Sequence, residues 1–524
     1  MGQRSDCDGL VVLLGAGPGP ATWLTLAGAK WLSRAEVVIY DRLVRPEVLA
    51  LAGPAVEKIY VGKTPGGAGP DQRWINDLLI RRARAGQQVV RLKGGDPLVF
   101  GRGGEEAEAL AEAGVPYRIV PGITAALAAA ACAGIPLTDR RYASTLALVT
   151  GRQDPTRDEE AVNWQALAGI DTVVFYMGVS NLPEITRRLI EAGRDPQTPA
   201  AVVALAGTPR QRTVTAPLAE LPAAARRAGI APPALTIVGE VVCLREKLAW
   251  FEHLPLFGQT VIITRPAHQS AELAAPLREL GAEVIEAPAI EIRPLEDFAA
   301  VDEALRRLKE FDWVVFTSAN GVEAFAARCR HLGLDGRALG AARVAAVGPA
   351  TVKALAGCFI SPDVVPEKFT TQALGQAMKS AGELAGTRIL LARSDLATQP
   401  LRQLLAEAGA EVQDVAFYRT ARAAQLPEEA LAALGEKRVD WITFTSSSAV
   451  DNFLALLAAG AGKAAPGLQG VHLAAIGPVT AETLRRHGLT AAAVADEHTA
   501  AGLVEAILRA VRPAGTSDRQ DQRE

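Results

Sequence analysis

No CxxC pair occurs in this 524-residue sequence, and its five cysteines, Cys7, Cys132, Cys243, Cys329 and Cys358, are odd in number and far apart. That excludes a regular disulfide framework or a cysteine-based zinc site, so the expectation is a cytoplasmic protein that needs no metal. Positive charge is not in excess: 55 Lys and Arg stand against 58 Asp and Glu, a formal net charge of -3, which argues against nucleic acid as a partner. A long apolar run is missing too. The opening MGQRSDCDG lacks the apolar core of a signal peptide, and the longest apolar stretch, Ile123 to Leu137, is Ala-rich, interrupted by Gly134 and Pro136, and short of a bilayer span. No membrane partner is therefore expected.

Length and apolar content are what the sequence does have. A chain of this size exceeds one core and predicts about three or four compact units, and 49% hydrophobic with 22% charged residues suits globular packing. Residues 513–524, PAGTSDRQDQRE, are almost devoid of apolar side chains and predict a disordered tail. Apolar runs such as LVVLLGAG, AEVVIYD, QQVVRLKGGD, TVVFYMG and LTIVGEVV alternate with Ala/Leu/Arg/Glu-rich stretches. That pattern is α/β, with helices layered on largely buried strands. A first unit ends after Trp250, where FEHLPLFG, containing Pro255 and Gly258, precedes a fresh strand TVIITRP.

The second half repeats itself. DWVVFTSANGVEAF returns as DWITFTSSSAVDNF, and a spacing of 128 residues separates Phe316 from Phe444, Gly281 from Gly409, and Arg265 from Arg393; Gly348 and Gly477 of the GP turns are 129 apart. Four landmarks in nearly one register predict two similar α/β lobes with turn-rich loops at the strand ends.

In the first half, GAGPG after the strand LVVLL invites a dinucleotide-binding reading. Its third glycine would fall at Pro20, however, and Pro18 and Pro20 remove amides that a pyrophosphate would use. The loop suits a ligand without phosphates. A second loop, RLKGGDPLVFGRGGEE, follows another strand, and a third segment, VPGITAALAAAACAGIPLT, turns into a helix of small residues. Asp96 of GGDP could be a plain helix cap, most of the alanines could serve close packing, and Asp41 could be a turn acid paired with Arg42 or Arg45.

In this order, GAGPG, YDRLV, VGK, RLKGGDP, FGRGGEE, PGITAA, AGIPLT, YMG, TPRQR and PALTIVGEVV resemble the uroporphyrinogen-III C-methyltransferases over residues 9–252. The resemblance implies a two-domain tetrapyrrole-methylase fold, a homodimer formed through this half, and S-adenosyl-L-methionine as cofactor. Carried over by position, the cofactor-binding residues are Pro18, Gly94, Gly95, Asp96, Val99, Thr124, Ala125, Met177 and Ala206, with Asp41 as base and Lys63 as proton donor. Guanidinium forks match carboxylates, which makes Arg91 and Arg102, then Arg140, Arg141 and Arg152, candidates for the acidic tetrapyrrole substrate. Pro20, Asp139, Arg152 and Ala204 depart from the family's usual residues.

The repeated half, with ITRP, FTSANGVEAF, AVGPAT, FYRT and FTSSSAVDNF, resembles uroporphyrinogen-III synthase over residues 258–512. What this implies is a bilobed, internally duplicated α/β synthase fold, with lobe one at 258–292 plus 420–512 and lobe two at 293–419. Thr317, Ser318, Thr445, Ser446, Ser447 and the GP loops would hold substrate carboxylates, and Tyr418 would donate to the departing hydroxyl. Local turn and cap bonding by the Ser/Thr residues, and plain packing by Tyr418, stay open at this point. The function implied is cyclisation of hydroxymethylbilane to uroporphyrinogen III followed by two methylations to precorrin-2, on the sirohaem and cobalamin branch. A nicotinamide oxidoreductase and a non-catalytic bilobed receptor are the rival readings.

Overall fold

The computed structural model describes residues 9–62, 70–151, 162–397, 399–460 and 467–511. Lys63, Arg152 and the expected tail at 513–524 lie outside the described residues. Two compact units emerge. The first runs to Gln259 and takes in Leu277–Glu283; the second holds Thr260–Pro276 and the chain from Val284 onward.

The first unit contains two sheets. β1 (Leu10–Gly15), β2 (Val37–Tyr40), β3 (Glu57–Tyr60), β4 (Gln88–Lys93) and β5 (Tyr117–Val120) form an all-parallel sheet in the order β3-β2-β4-β1-β5. Parallel strands are covered on both faces, so alternate side chains feed two cores. Val11 and Leu13 join one core with Val37, Ile39 and Val89, whereas Val12 and Leu14 join the other with Val38, Val90 and Leu92. The helix Gln72–Arg84 shows how sequence sets an element. Asp71 Oδ1 accepts the Trp74 N–H at 2.7 Å, Ile75, Leu78, Leu79 and Ala83 make the buried stripe, and Arg81, Arg82 and Arg84 sit where the helix dipole favours cations.

β6 (Leu146–Thr150), β7 (Thr172–Tyr176), β8 (Pro199–Ala204), β9 (Arg212–Pro217) and β10 (Ala234–Val238) form a mixed sheet in the order β6-β7-β10-β8-β9. β10 runs antiparallel to both neighbours. Between the sheets in sequence lies the helix Ala125–Ala133, closed by Gly134 at φ 67°. Its alanines Ala126, Ala129, Ala130 and Ala133 pack into the core of the second sheet beside Val174, Tyr176 and Val203.

The second unit contains β11 (Thr260–Ile263), β12 (Glu283–Glu286), β13 (Ile290–Arg293), β14 (Trp313–Phe316), β15 (Arg343–Ala346), β16 (Arg388–Ser394), β17 (Glu411–Arg422), β18 (Trp441–Phe444), β19 (His472–Ala475) and β20 (Ala493–Val494). They make two sheets, β12-β11-β18-β19-β20 and β13-β17-β16-β14-β15. The repeat in sequence is a repeat in space: β12-β11-β18-β19 matches β17-β16-β14-β15 strand for strand, with Phe316 and Phe444 ending corresponding central strands. The lobe limits expected at 292 and 420 fall inside β13 and β17, an antiparallel pair in which Ile290 faces Arg422.

Phe316 is wholly buried and meets Phe325 edge to face at 5.2 Å, and Phe325 in turn approaches Phe417 at 5.7 Å. Phe316→Ala removes the wholly buried end of this aromatic chain and is expected to destabilise the second unit by about 3–5 kcal/mol. Urea unfolding followed by aromatic fluorescence measures the loss.

Candidate active sites

Three loops meet at the C-terminal edge of the parallel sheet, where open α/β sheets place their ligands. Gly17 and Gly95 exchange N–H···O bonds of 3.1 Å, and the Ala16 N–H donates to Lys93 O at 2.7 Å. A Cβ on Gly15 would stand 2.5 Å from Gly122 N and 2.6 Å from Gly95 O, and one on Gly122 would stand 2.3 Å from Gly95 O. Backbone therefore touches backbone, which only glycine permits. Above Gly95 the situation reverses: its would-be Cβ meets nothing closer than 3.9 Å, the nearest atom being Ala125 N. The loops are closed against each other at Gly15 and Gly122, whereas at Gly95, whose φ is +72°, a Cβ would make only ordinary contacts with Ala125 N and Ile123 O.

Asp96 ties the loops together. Its Oδ2 accepts the Gly122 N–H at 3.0 Å and its Oδ1 the Leu98 N–H at 2.8 Å. Thr124 occupies the N-cap of the small-residue helix, but its hydroxyl bonds Tyr176 Oη at 2.7 Å, and the same Tyr176 oxygen accepts the Ala126 N–H at 3.0 Å. β7 of the second sheet thereby reaches the helix that follows the first. Val99, Ala125 and Ala206 pack against the core that contains Tyr176, and Met177 next to it is exposed. Trp23 wedges beside Gly19 and Gly207, whose would-be Cβ atoms lie 2.3 Å and 2.9 Å from its ring. Pro18, Gly94, Gly95, Asp96, Val99, Thr124 and Ala125 thus fall on the three loops of the parallel sheet, and Met177 and Ala206 on the loops after β7 and β8 of the second sheet.

Backbone strain collects here as well. Of the six non-glycine residues at positive φ among the described residues, Phe100, Arg102, Met177 and Leu205 belong to these loops. Each such conformation costs about 1–3 kcal/mol and persists where surrounding structure enforces it, commonly at functional sites.

Asp41 follows β2 and is half-buried. Its partner is neither Arg42 nor Arg45: Arg91 Nη2 donates to Asp41 Oδ1 at 2.6 Å, and Arg45 pairs with Glu47 at 3.0 Å. Arg91, a candidate for binding substrate carboxylates, is corrected by its surroundings. It is 2% exposed, with Nε on Glu106 Oε1 at 3.0 Å, so its guanidinium is occupied inside the domain. Glu106, fully buried, also accepts Lys93 Nζ at 2.9 and 3.0 Å. Burial, then the adjacent Arg91 charge, pushes the Lys93 ammonium below its ordinary range against the pull of Glu106 and Asp41. Removing one member of such a buried set typically costs about 3–5 kcal/mol because its partners are left uncompensated.

Arg102 and Arg141 are exposed and bonded to Glu105 and Asp139, respectively, and Arg140 is exposed. Of the unusual positions, Pro20 begins the short turn that carries Trp23, and Ala204 is buried at the end of β8. Trp23, Phe100, Glu106 and Tyr176 escaped sequence reasoning. Only Tyr176 and Glu106 carried a signal, as polar groups inside the YMG and FGRGGEE motifs.

In the second unit, Thr317 and Ser318 follow β14, and Thr445, Ser446 and Ser447 follow β18 at the matching place in the other sheet. Ser318 Oγ accepts the Gly321 N–H at 3.0 Å and bonds Tyr418 Oη at 3.0 Å. Ser446 Oγ accepts the Ala449 N–H at 3.1 Å, and Thr483 Oγ1 donates to Ser447 Oγ at 2.8 Å. Gly348 and Gly477 precede the helices Pro349–Ala356 and Pro478–Arg486. Each lobe thus gathers two helix N-termini at adjacent strand ends, where partial positive charge suits carboxylates. Tyr418 is joined to Ser318; Thr445, Ser446 and Ser447 belong to the other lobe. Gln269 Nε2 links the lobes by donating to Asn320 Oδ1 at 2.7 Å.

Residues 10–222 match the tetrapyrrole (corrin/porphyrin) methylases, and residues 271–505 match uroporphyrinogen-III synthase HemD. The chain is 36% identical over 503 residues to the porphyrin biosynthesis protein HemD of Ruminiclostridium josui, covering 95% of this chain and 98% of that one. A uroporphyrinogen-III C-methyltransferase of Bacillus subtilis is 47% identical over 245 residues, 47% of this chain and 95% of its own. Among solved structures, the Thermus thermophilus uroporphyrin-III C-methyl transferase complexed with S-adenyl homocysteine is 45% identical over 45% of this chain and 99% of its own, with a TM-score of 0.39. The class is a tetrapyrrole methylase joined to a uroporphyrinogen-III synthase domain. Within it, this chain belongs to the family of the porphyrin biosynthesis protein HemD.

Tyr176→Phe keeps the ring contact with Phe100, whose centroid is 4.8 Å away, and deletes the oxygen that joins Thr124 to the Ala126 N–H. The first unit should lose about 1–3 kcal/mol, read by urea denaturation of the full chain.

Proposed function

We propose that the chain is a bifunctional tetrapyrrole enzyme. Residues 258–512 cyclise hydroxymethylbilane to uroporphyrinogen III, and residues 9–252 methylate that product twice to give precorrin-2. The observation that carries the first unit's role is the meeting of main chain at Gly15, Gly95 and Gly122, where the loops after β1, β4 and β5 converge. S-adenosyl-L-methionine supplies an electrophilic methyl group when bound. Small residues at Gly94, Gly95, Ala125 and Ala206, with Pro18, Asp96, Val99, Thr124 and Met177 around them, would hold it.

Methylation of a pyrrole carbon requires the methyl group and that carbon to be aligned and a proton to leave. Asp41, anchored through Oδ1 to Arg91 and partly exposed, is the residue we assign as base, with Lys63 as proton donor. Arg102, Arg140 and Arg141 lie at the surface, where a polycarboxylate can reach them.

Ring closure with inversion demands control of substrate shape more than a strong nucleophile. Paired helix N-termini in each lobe, with Thr317, Ser318, Thr445, Ser446 and Ser447, would hold the substrate's carboxylates. Tyr418, bonded to Ser318, would assist departure of the hydroxyl. Family membership also supports a homodimer through the first unit, a cytoplasmic setting and a place on the sirohaem or cobalamin branch. No helix among the described residues is long and apolar enough to cross a membrane.

The test is anaerobic incubation of the full chain with hydroxymethylbilane, with and without S-adenosyl-L-methionine, followed by mass and isomer analysis. Isomer III without the methyl donor, and a doubly methylated product with it, is the expected result. Isomer I with no methylation would overturn the proposal. Asp41→Ala should retain cofactor binding and lose methylation by about 10²–10⁴-fold. Tyr418→Phe should slow formation of isomer III and leave methylation of supplied uroporphyrinogen III unchanged.

A further inference from the structure

Charged side chains are seldom buried without a task, because desolvation offsets much of what pairing returns. Four are buried among the described residues, and three of them, Arg91, Lys93 and Glu106, form one cluster behind Asp41. The cluster is balanced: two cations face Glu106 and Asp41. Asp41, at 31% side-chain exposure, is its opening to solvent.

Glu106 is the hub. Its Oε1 accepts Arg91 Nε, Lys93 Nζ and Gln72 Nε2 at 3.0, 2.9 and 3.2 Å, and its Oε2 accepts Lys93 Nζ at 3.0 Å. Arg91 spans the gap, with one edge on Glu106 and its tip on Asp41 Oδ1. Lys93 Nζ stands 4.0 Å from Asp41 Oδ2, outside hydrogen-bond reach. Without the Glu106 charge, Lys93 would have Asp41 as its nearest carboxylate, and both Asp41 oxygens would be tied to cations.

We propose that Glu106 is a positioning residue for methyl transfer: by engaging Lys93 and Arg91 it leaves Asp41 Oδ2 available to the substrate. The proposal rests on Asp41 being the base. It assigns Lys93 an inhibitory potential that Glu106 suppresses, which a purely structural ion pair would not have.

The experiment uses the full chain, S-adenosyl-L-methionine and supplied uroporphyrinogen III, with thermal unfolding and isomer III formation as folding controls. Glu106→Gln should lower kcat for methylation on the order of 100-fold, the scale of a small misplacement of a catalytic group, and leave KM for the methyl donor nearly unchanged. Adding Lys93→Met to Glu106→Gln should restore kcat at least about tenfold, because the competing cation is gone and Arg91 still holds Oδ1. Wild-type kcat in folded Glu106→Gln, or no recovery in the double variant, would overturn the inference. If Glu106→Gln does not fold, Glu106→Asp, with the charge kept and the reach shortened, decides in its place: a lowered kcat at constant KM supports the inference and an unchanged kcat overturns it. Asp41→Asn measured alongside separates the two levels. Full turnover there would remove Asp41 as base and this inference with it, whereas a dead Asp41→Asn beside an active Glu106→Gln would remove only the role of Glu106.

Discussion

Close approach of backbone at Gly15, Gly95 and Gly122 is the constraint on which the first unit turns. Any side chain at Gly15 or Gly122 would drive apart the loops after β1, β4 and β5, and with them the Gly17–Gly95 bonds and the Asp96 link to the Gly122 amide. The same loops carry Thr124, through which Tyr176 recruits the second sheet. Loop contact, and with it the Thr124–Tyr176 bond to the second sheet, therefore depends on a few atoms of excluded volume, which explains why so many turn residues cluster in these motifs.

Legibility in the sequence followed the physics of each feature. Alternating apolar runs and helical stretches exposed the α/β class because strand burial is written locally. The spacing of 128 residues exposes the duplication, and the structure turns that spacing into the same order of four corresponding strands in two sheets, with β20 and β13 added at opposite edges. Side-chain partnership was a different matter. Arg91 reads as a spare cation in QQVVRLK, and nothing local says that it points inward to Glu106, fifteen residues later and on a helix. Arg42 and Arg45 are the cations nearest Asp41 in sequence, while its actual partner comes from an adjacent strand. Trp23 gave no signal because its role depends on the turn at Gly207, contributed by the other domain.

The two units build the loops at their strand ends by different means. In the first, glycines let the loops after β1, β4 and β5 meet main chain to main chain. In the second, strand ends feed directly into helices, and Ser318 and Ser446 cap those helices with their own hydroxyls. Capping satisfies one amide of each first turn and leaves others directed outward, which favours anionic groups there. Tyr418 stands apart from that pattern as a phenol bonded to a capping serine that is itself fixed by the Gly321 amide.

β11 pairs with β18 so that Val261 faces Trp441 and Ile263 faces Thr443. During synthesis β11 emerges long before its partner, and the intervening chain already contains every strand of the β13-β17-β16-β14-β15 sheet. All strands of that inserted sheet are synthesised before β18 appears, so its pairing requires nothing that follows Arg422. Its closure shortens the effective loop that β11 and β18 must bridge, lowering the entropy lost when they finally meet. The nested order of the strands thus gives this half of the protein a built-in assembly sequence, with the inner lobe acting as a staple for the outer.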